Sequence, residues 1–297
     1  MLGNFTRNLP AISMALGLTA GLYFGVTDAV IAKSTVMDHV NELSTIRQSA
    51  EAYAAKEKGE ILIVFDIDDT LLASDSFVGG DSWYNWQRGK VLKSTEEAEI
   101  TIDEADKVTC LFSKLGMLYE LGMYHATEPD AAGIVKYLAK FDLMALTSRS
   151  PDYRGGTERE LKRAGFNFKN AHLLTTSNAL AYAFFDGKST RAVSYQNGIV
   201  MSTGLNKGEV LIDLLKRIDR QYSAIFFVDD SRKNVVDMEK AWQDRSTDVR
   251  IFHYTGVDKR ISPEDIHQAK VSRDALNIFI SSAFPNRAER FATGSCQ

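Results

Sequence analysis

Short, uninterrupted runs of apolar residues recur along this chain, and amphipathic segments separate them. The first run, Ile61–Phe65, ends abruptly in a group of acids. A run of this kind is typical of a strand that is buried on both faces, as in a parallel sheet. The predicted strands are 61–65, 143–146, 224–228 and 248–254, and the predicted helices are 130–140, 158–164, 207–221 and 234–243. Strand alternating with helix predicts an α/β fold, a Rossmann-like open parallel sheet covered on both sides by helices.

Two segments depart from this alternation. Residues 76–128 are too long for a crossover, and their apolar residues recur at helical spacing after an aromatic-rich loop, which predicts an inserted helical cap. Between residues 190 and 203, Asn197-Gly198 separates two short apolar runs, which predicts a β-hairpin. We therefore expect a core of about five strands, formed by residues 59–75 and 129–257.

The two ends of the chain are predicted to lie outside this core. Apolar residues at helical spacing predict an N-terminal helix at 33–58, and residues 258–297 are expected to form a C-terminal helical tail. The uncharged apolar run Ala11–Val26 follows Arg7 and precedes a small-residue cleavage site, so residues 1–32 have the pattern of a secretory signal peptide. The alternative is an uncleaved membrane anchor, although the run is short for a spanning helix.

Charge and cysteine content narrow the classes of partner and compartment. A formal net charge of −4 gives no electrostatic reason to expect nucleic acid as a partner. The signal peptide predicts a periplasmic or secreted protein with no stable membrane span after cleavage. Cys110 falls in a predicted helix and Cys296 lies beside the C-terminus, so both are expected to be free thiols, with a bridge between them as the less favoured alternative.

Acidic residues follow two of the predicted buried strands directly. Asp66, Asp68 and Asp69 come after the first strand, and Asp229 and Asp230 come after the strand 224–228. Ligands of open α/β sheets bind outside the carboxyl ends of the strands, so both groups should meet at one edge. Carboxylates that are forced together repel one another unless a cation lies between them, and an all-oxygen ligand set favours Mg²⁺.

Two further residues at strand ends suit the chemistry of phosphate. Thr147 ends the strand 143–146 and offers a hydroxyl, and Lys207 opens a helix after the hairpin and offers a positive charge. Together with an acidic metal site, these are the groups needed to stabilise a transferring phosphoryl group. Arg149 could contact a phosphate as well, or it could form an ion pair.

These residues resemble, in order, the four motifs of the haloacid dehalogenase (HAD) superfamily. The matching segments are Asp66-Ile67-Asp68-Asp69-Thr70, Thr147, Lys207 and Asp229-Asp230-Ser231-Arg232-Lys233-Asn234. The Thr-Ser-Arg after the second strand and the Asn-Lys-Gly around Lys207 also resemble the DUF2608-type branch. The chain departs from the common pattern at Asn234, where many members have aspartate.

The resemblance implies a Mg²⁺-dependent phosphomonoester hydrolase that acts through an aspartyl-phosphate on a phosphorylated small molecule or a phosphopeptide. Asp66 would be the nucleophile and Asp68 the general acid and base. Asp66, the backbone carbonyl of Asp68 and Asp230 would hold Mg²⁺, with Asp229 assisting. Two alternatives stay open: a phosphotransferase or phosphomutase, and an exported interaction or effector module that uses the same fold.

The aromatic residues of the predicted cap allow two interpretations. Trp83, Tyr84 and Trp86 follow soon after the predicted nucleophile. They could stack on a flat group of the substrate, or they could pack the cap against the core.

Overall fold

The computed structural model describes residues 35–169, 173–174 and 179–296, so the predicted signal peptide at 1–32 lies outside the described residues. The strands are β1 Thr35–Val40, β2 Ile61–Phe65, β3 Leu72–Ser74, β4 Leu92–Lys93, β5 Glu99–Ile100, β6 Tyr124–Ala126, β7 Asp142–Thr147, β8 Ala179–Phe185, β9 Thr190–Gln196, β10 Ile199–Met201, β11 Ala224–Asp229 and β12 Asp248–Tyr254. The α-helices are α1 Ser44–Lys56, α2 Asp81–Gln87, α3 Leu111–Leu121, α4 Ala131–Leu138, α5 Arg154–Arg163, α6 Lys207–Arg217, α7 Arg232–Trp242, α8 Pro263–Ala283 and α9 Pro285–Ala292. No helix in the described ranges is both long and apolar enough to cross a bilayer.

An eight-stranded, mostly parallel sheet forms the centre of the fold, in the order β1-β12-β11-β2-β7-β10-β9-β8. The strands β2 and β11 lie side by side at its middle, and every residue of both is buried. This burial on both faces explains why their sequences are continuously apolar. The predicted α/β fold is confirmed, but the sheet is larger than the five strands expected.

The N-terminal prediction was wrong in its first half. Residues 35–40 form the edge strand β1, which pairs in parallel with β12, and helix α1 begins only at Ser44. Val36 and Val40 are four residues apart, an even spacing that suits a strand as well as a helix. A register shift lies between Met37 and Val40, where His39 has φ 59°, and helix α1 follows soon after. The spacing of the apolar residues therefore does not mark the boundary between strand and helix.

The segment between β3 and β6 contains less helix than the predicted cap. It holds the short helix α2, the small hairpin β4–β5, a single 3₁₀ turn at Glu104–Asp106 and helix α3. β3 and β6 pair with each other in an antiparallel two-stranded sheet at the base of this insertion. The predicted hairpin at Asn197-Gly198 is present, and both residues adopt the positive φ that its tight turn requires.

The prediction of two free thiols was also wrong, because Cys110 and Cys296 form a disulfide. Cys110 does not lie within a helix; it precedes α3 with φ 53°. Helices α8 and α9 return the C-terminus to this point, where the hydroxyl of Ser113 donates to the carbonyl of Cys296 at 2.6 Å. Disulfides persist in oxidising compartments, so this bond indicates a non-cytoplasmic protein.

Candidate metal centre

Acids at the carboxyl ends of the neighbouring strands β2 and β11 lie at the same point of the sheet edge. Phe65 pairs with Val228, and the backbone N–H of Asp66 donates to the carbonyl of Val228 at 2.8 Å, so Asp66 and Asp229 leave the sheet together. One carboxylate oxygen from each of Asp66, Asp229 and Asp230 lies within 4.8 Å of the others. The two acidic groups therefore meet as the strand ends predict, and they could hold a metal ion.

Lys207 lies between two of these acids. Its Nζ is 2.6 Å from Oδ1 of Asp66 and 2.7 Å from Oδ2 of Asp229, and its side chain is completely buried. Asn206 caps the helix that Lys207 begins, since its side chain accepts from the N–H of Glu209. Burial lowers the pKa of Lys207, but Asp229 and Asp66 outweigh this effect, and the pKa lies above its usual value.

Asp229 is surrounded by hydrogen-bond donors. Besides Lys207, the N–H of Ser231 donates to its Oδ1 at 2.9 Å, and Nδ2 of Asn234 lies 3.0 and 3.1 Å from its two oxygens. An aspartate at position 234 could not donate these hydrogen bonds. Asn234 therefore helps to hold Asp229 in place.

The loop after β2 is a tight turn that separates its acids. Asp69 has φ 53°, and its N–H donates to the carbonyl of Leu72 at 2.8 Å. The buried hydroxyl of Thr70 accepts from the N–H of Asp230 at 3.1 Å, which ties this loop to the second acidic loop. A non-glycine residue with positive φ is uncommon, and such residues concentrate at functional sites.

Asp68 forms an ion pair with a buried arginine. Nε of Arg149 is 3.0 Å from Oδ2 of Asp68, and Nη2 is 2.6 Å from Oδ1. The guanidinium also lies 3.9 Å from the ring centroid of Tyr119. Of the two roles considered for Arg149, the structure shows the ion pair, in the bidentate geometry that fixes the direction of a carboxylate.

Thr147 lies at the carboxyl end of β7, the neighbour of β2, and is completely buried. Its hydroxyl accepts from the N–H of Arg149 at 3.1 Å, and its carbonyl accepts from Ser202. Within the described chain, these hydrogen bonds do not reach the carboxylates. Thr147 is thus at the predicted edge, while Asp66 and Lys207 are in direct contact.

Lys259 and Asp81 belong to the same centre and were missed from the sequence. Nζ of Lys259 lies 3.2 Å from Asp69 and 2.9 Å from Asp81, and it also contacts Asp230. Lys259 follows β12, whose carboxyl end lies at the same edge, so the rule that found Asp66 and Asp229 could have found it too. Asp81 begins α2 in the insertion and does not follow a strand of the main sheet, so the same rule could not have found it.

Burial makes several acids of this centre hard to ionise, because it raises their pKa values. Burial and the charge of Asp229 raise the pKa of Asp66 well above its usual range, although Lys207 opposes this. Burial raises the pKa of Asp69 to about 7, with Lys259 opposing, and burial raises that of Asp230 as well. Such a set of carboxylates could hold a metal ion, whose positive charge would offset their mutual repulsion.

The structure decides between the two interpretations for Trp83 and Trp86, but not for Tyr84. Trp83 and Trp86 are 2% exposed and belong to the main apolar core, where their Nε1 atoms have no acceptor in the described part of the chain. Both tryptophans therefore pack the insertion against the core. Tyr84 is only partly buried, with its ring centroid 6.3 Å from that of Phe112.

A comparison with known protein families identifies the family of this chain. Residues 39–286 match the family described as "Protein of unknown function (DUF2608)", which covers most of the sequence. The chain belongs to the DUF2608 family. No curated protein matches it. The carboxylate centre of this DUF2608 protein lies entirely within the matched residues.

Proposed function

We propose that this DUF2608 protein is a HAD-type, Mg²⁺-dependent phosphomonoester hydrolase that acts outside the cytoplasm. The observation that carries the proposal is the contact of Lys207 with both Asp66 and Asp229, beside Asp230, at the carboxyl edge of a parallel sheet. A lysine, a candidate nucleophile and metal-binding carboxylates from three separate segments are the parts that phosphoryl transfer requires.

Asp66 is the nucleophile in this proposal. One of its carboxylate oxygens attacks phosphorus while the bond from phosphorus to the leaving oxygen breaks, and Asp68 gives that oxygen a proton. In the second step water attacks phosphorus, Asp68 takes the proton from the water, and Asp66 is released as a carboxylate. Arg149 holds the carboxyl group of Asp68 in a fixed direction by two hydrogen bonds.

Asp66, Asp230 and the backbone carbonyl of Asp68 would hold Mg²⁺, which supplies positive charge that stabilises the phosphoryl oxygens. Asp229 already receives donors on both oxygens, which supports a role in holding Lys207 and orienting the centre. Lys207 neutralises the buried acids, and the hydroxyl of Thr147 is the candidate donor to a phosphate oxygen. The substrate class is a phosphorylated small molecule or a phosphopeptide.

Two independent features support the proposed compartment. The sequence pattern of residues 1–32 supports export through a cleaved signal peptide, and the Cys110–Cys296 disulfide suits the periplasm or the extracellular space. An exported hydrolase would act on substrates that reach it outside the cytoplasm.

Release of phosphate from an aryl phosphate tests this function. The protein with its disulfide formed is assayed with Mg²⁺, with EDTA and as the Asp66→Asn variant, and Asp75→Asn serves as a control. Asp75 is a half-exposed aspartate in the same loop region that pairs with His125. We expect metal-dependent turnover that Asp66→Asn abolishes and Asp75→Asn retains. Turnover that survives Asp66→Asn would refute the assignment of the nucleophile.

A further inference from the structure

Lys259 places a positive charge in a cage of three carboxylates. Its Nζ contacts Asp69 at 3.2 Å and Asp81 at 2.9 Å, and it contacts Asp230 as well. Oxygens of the same three aspartates lie within 4.8 Å of one another, which is close enough to share one metal ion. The ammonium therefore sits where a cation would bind if the lysine were absent.

The backbone around Lys259 is held by the insertion. The hydroxyl of Ser82 donates to the carbonyl of Lys259 at 3.4 Å. Two residues further on, the N–H of Ile261 donates to Lys93, and its carbonyl accepts from Thr95, both at 3.0 Å. These contacts fix the segment after β12 against α2 and the β4–β5 hairpin. These hydrogen bonds to the insertion therefore hold the backbone of Lys259 in position beside the three aspartates.

The charges at this edge favour one divalent ion when Lys259 is present. In the described part of the chain, Asp66, Asp68, Asp69, Asp81, Asp229 and Asp230 are in ion-pair contact with three cations, Lys207, Arg149 and Lys259. If all six aspartates are ionised, the three cations leave the centre with three negative charges, and one bound Mg²⁺ would reduce this to one. Removal of Lys259 adds another negative charge, and a second divalent ion would then balance the centre.

A cavity lies beside the cage, on the side of two of its three acids. It has a volume of about 190 Å³ and is lined by Asp69 and Asp230 together with His253 and Lys259. Mg²⁺ and Mn²⁺ bind carboxylates while keeping several waters, so they need such space beside the ligands.

We propose that Lys259 is a positioning residue whose ammonium occupies a second cation position formed by Asp69, Asp81 and Asp230. In this way Lys259 limits the edge to one divalent ion and joins Asp81 of the insertion to the two core acids. The part that concerns the first ion rests on the proposed function. The occupation of the second position by Lys259 does not depend on catalysis.

The number of bound Mn²⁺ ions tests the proposal. Free Mn²⁺ is measured by electron paramagnetic resonance during titration of the full protein at about pH 8, with parent and variants at the same pH. We expect Lys259→Met and Lys259→Gln each to bind one more Mn²⁺ than the parent protein. The double variant Lys259→Met, Asp81→Asn should return to the parent number, because the cage loses a ligand.

Lys270→Met is the matched control. Lys270 lies in the same C-terminal segment and pairs with one aspartate of the insertion, Asp106, at 2.8 Å. Among the described residues, the ion pairs of Asp69, Asp81 and Asp230 are with Lys259 and not with Lys270. Lys270→Met should leave the number of ions unchanged. The proposal is overturned if neither Lys259 variant gains an ion, or if the double variant keeps the gain. A parent protein that binds no Mn²⁺ would count against the proposed function, while the difference between parent and variant would still decide the role of Lys259.

Discussion

Replacement of Lys207 by methionine removes the ammonium between Asp66 and Asp229 and nearly preserves the volume of the side chain. Lys207 and Asp229 are completely buried, and the side chain of Asp66 is 7% exposed, so water cannot take the place of the lost charge. The variant is left with two adjacent carboxylates in an apolar setting. We expect it to be less stable and inactive.

The size of the effect follows from this burial. Removal of one partner from a buried ion pair costs about 3–5 kcal/mol, because the remaining charge is uncompensated. Burial and Asp229 already raise the pKa of Asp66, and loss of Lys207 raises it further. A carboxyl group whose pKa is raised by folding contributes stability at low pH and loses it as pH rises through the folded value. The cost should therefore be smaller at about pH 5 than at about pH 8.

Urea unfolding in EDTA at both pH values measures this cost. Lys114→Met is the matched control. Lys114 is also buried, but its hydrogen bonds within the described residues go to neutral oxygens, Oδ1 of Asn277 at 2.7 Å and Oγ1 of Thr109 at 3.3 Å. Burial lowers the pKa of Lys114. Its replacement should cost about 1 kcal/mol through lost hydrogen bonds and should leave activity intact.

Two results would refute this reasoning. The first is an equal loss of stability in both variants at about pH 8, which would mean that the carboxylate partners of Lys207 do not matter. The second is a loss in Lys207→Met that does not change between the two pH values. Added Mg²⁺ should restore part of the stability of Lys207→Met, because it supplies the missing positive charge.

Three further predictions concern other parts of the molecule. The Cys110→Ser, Cys296→Ser variant should lose about 2–5 kcal/mol in urea unfolding, since the disulfide joins residues 186 apart; an unchanged midpoint would contradict this. Affinity for Mg²⁺, measured by calorimetry with proton release, should rise with pH between about pH 5.5 and about pH 8, because burial raises the pKa values of Asp66 and Asp230 and both must lose protons to bind the ion; a flat profile would count against these two ligands. Arg149→Met should lower kcat about tenfold to a hundredfold with little change in KM, because Asp68 loses the bidentate contact that orients it; an unaltered kcat would exclude this role.

The sequence alone determined the central strands of the fold and the close approach of Asp66 and Asp229. Continuous apolar runs can be strands only where both faces are covered, and parallel strands in register end at the same edge. Asp66 and Asp229 follow two such runs directly, so their approach required no knowledge of side-chain packing. The same holds for the hairpin at Asn197-Gly198, because its turn depends on local backbone preferences.

The tertiary structure decided the features that join distant segments. Edge strand β1 depends on pairing with β12, and the same spacing of valines also fits a helix. The disulfide depends on the path of α8 and α9 back to Cys110, and the cage around Lys259 depends on Asp81, which lies 178 residues earlier. Contacts of this kind leave no periodic trace in the sequence, because each partner is positioned by a different element and only packing brings them within reach.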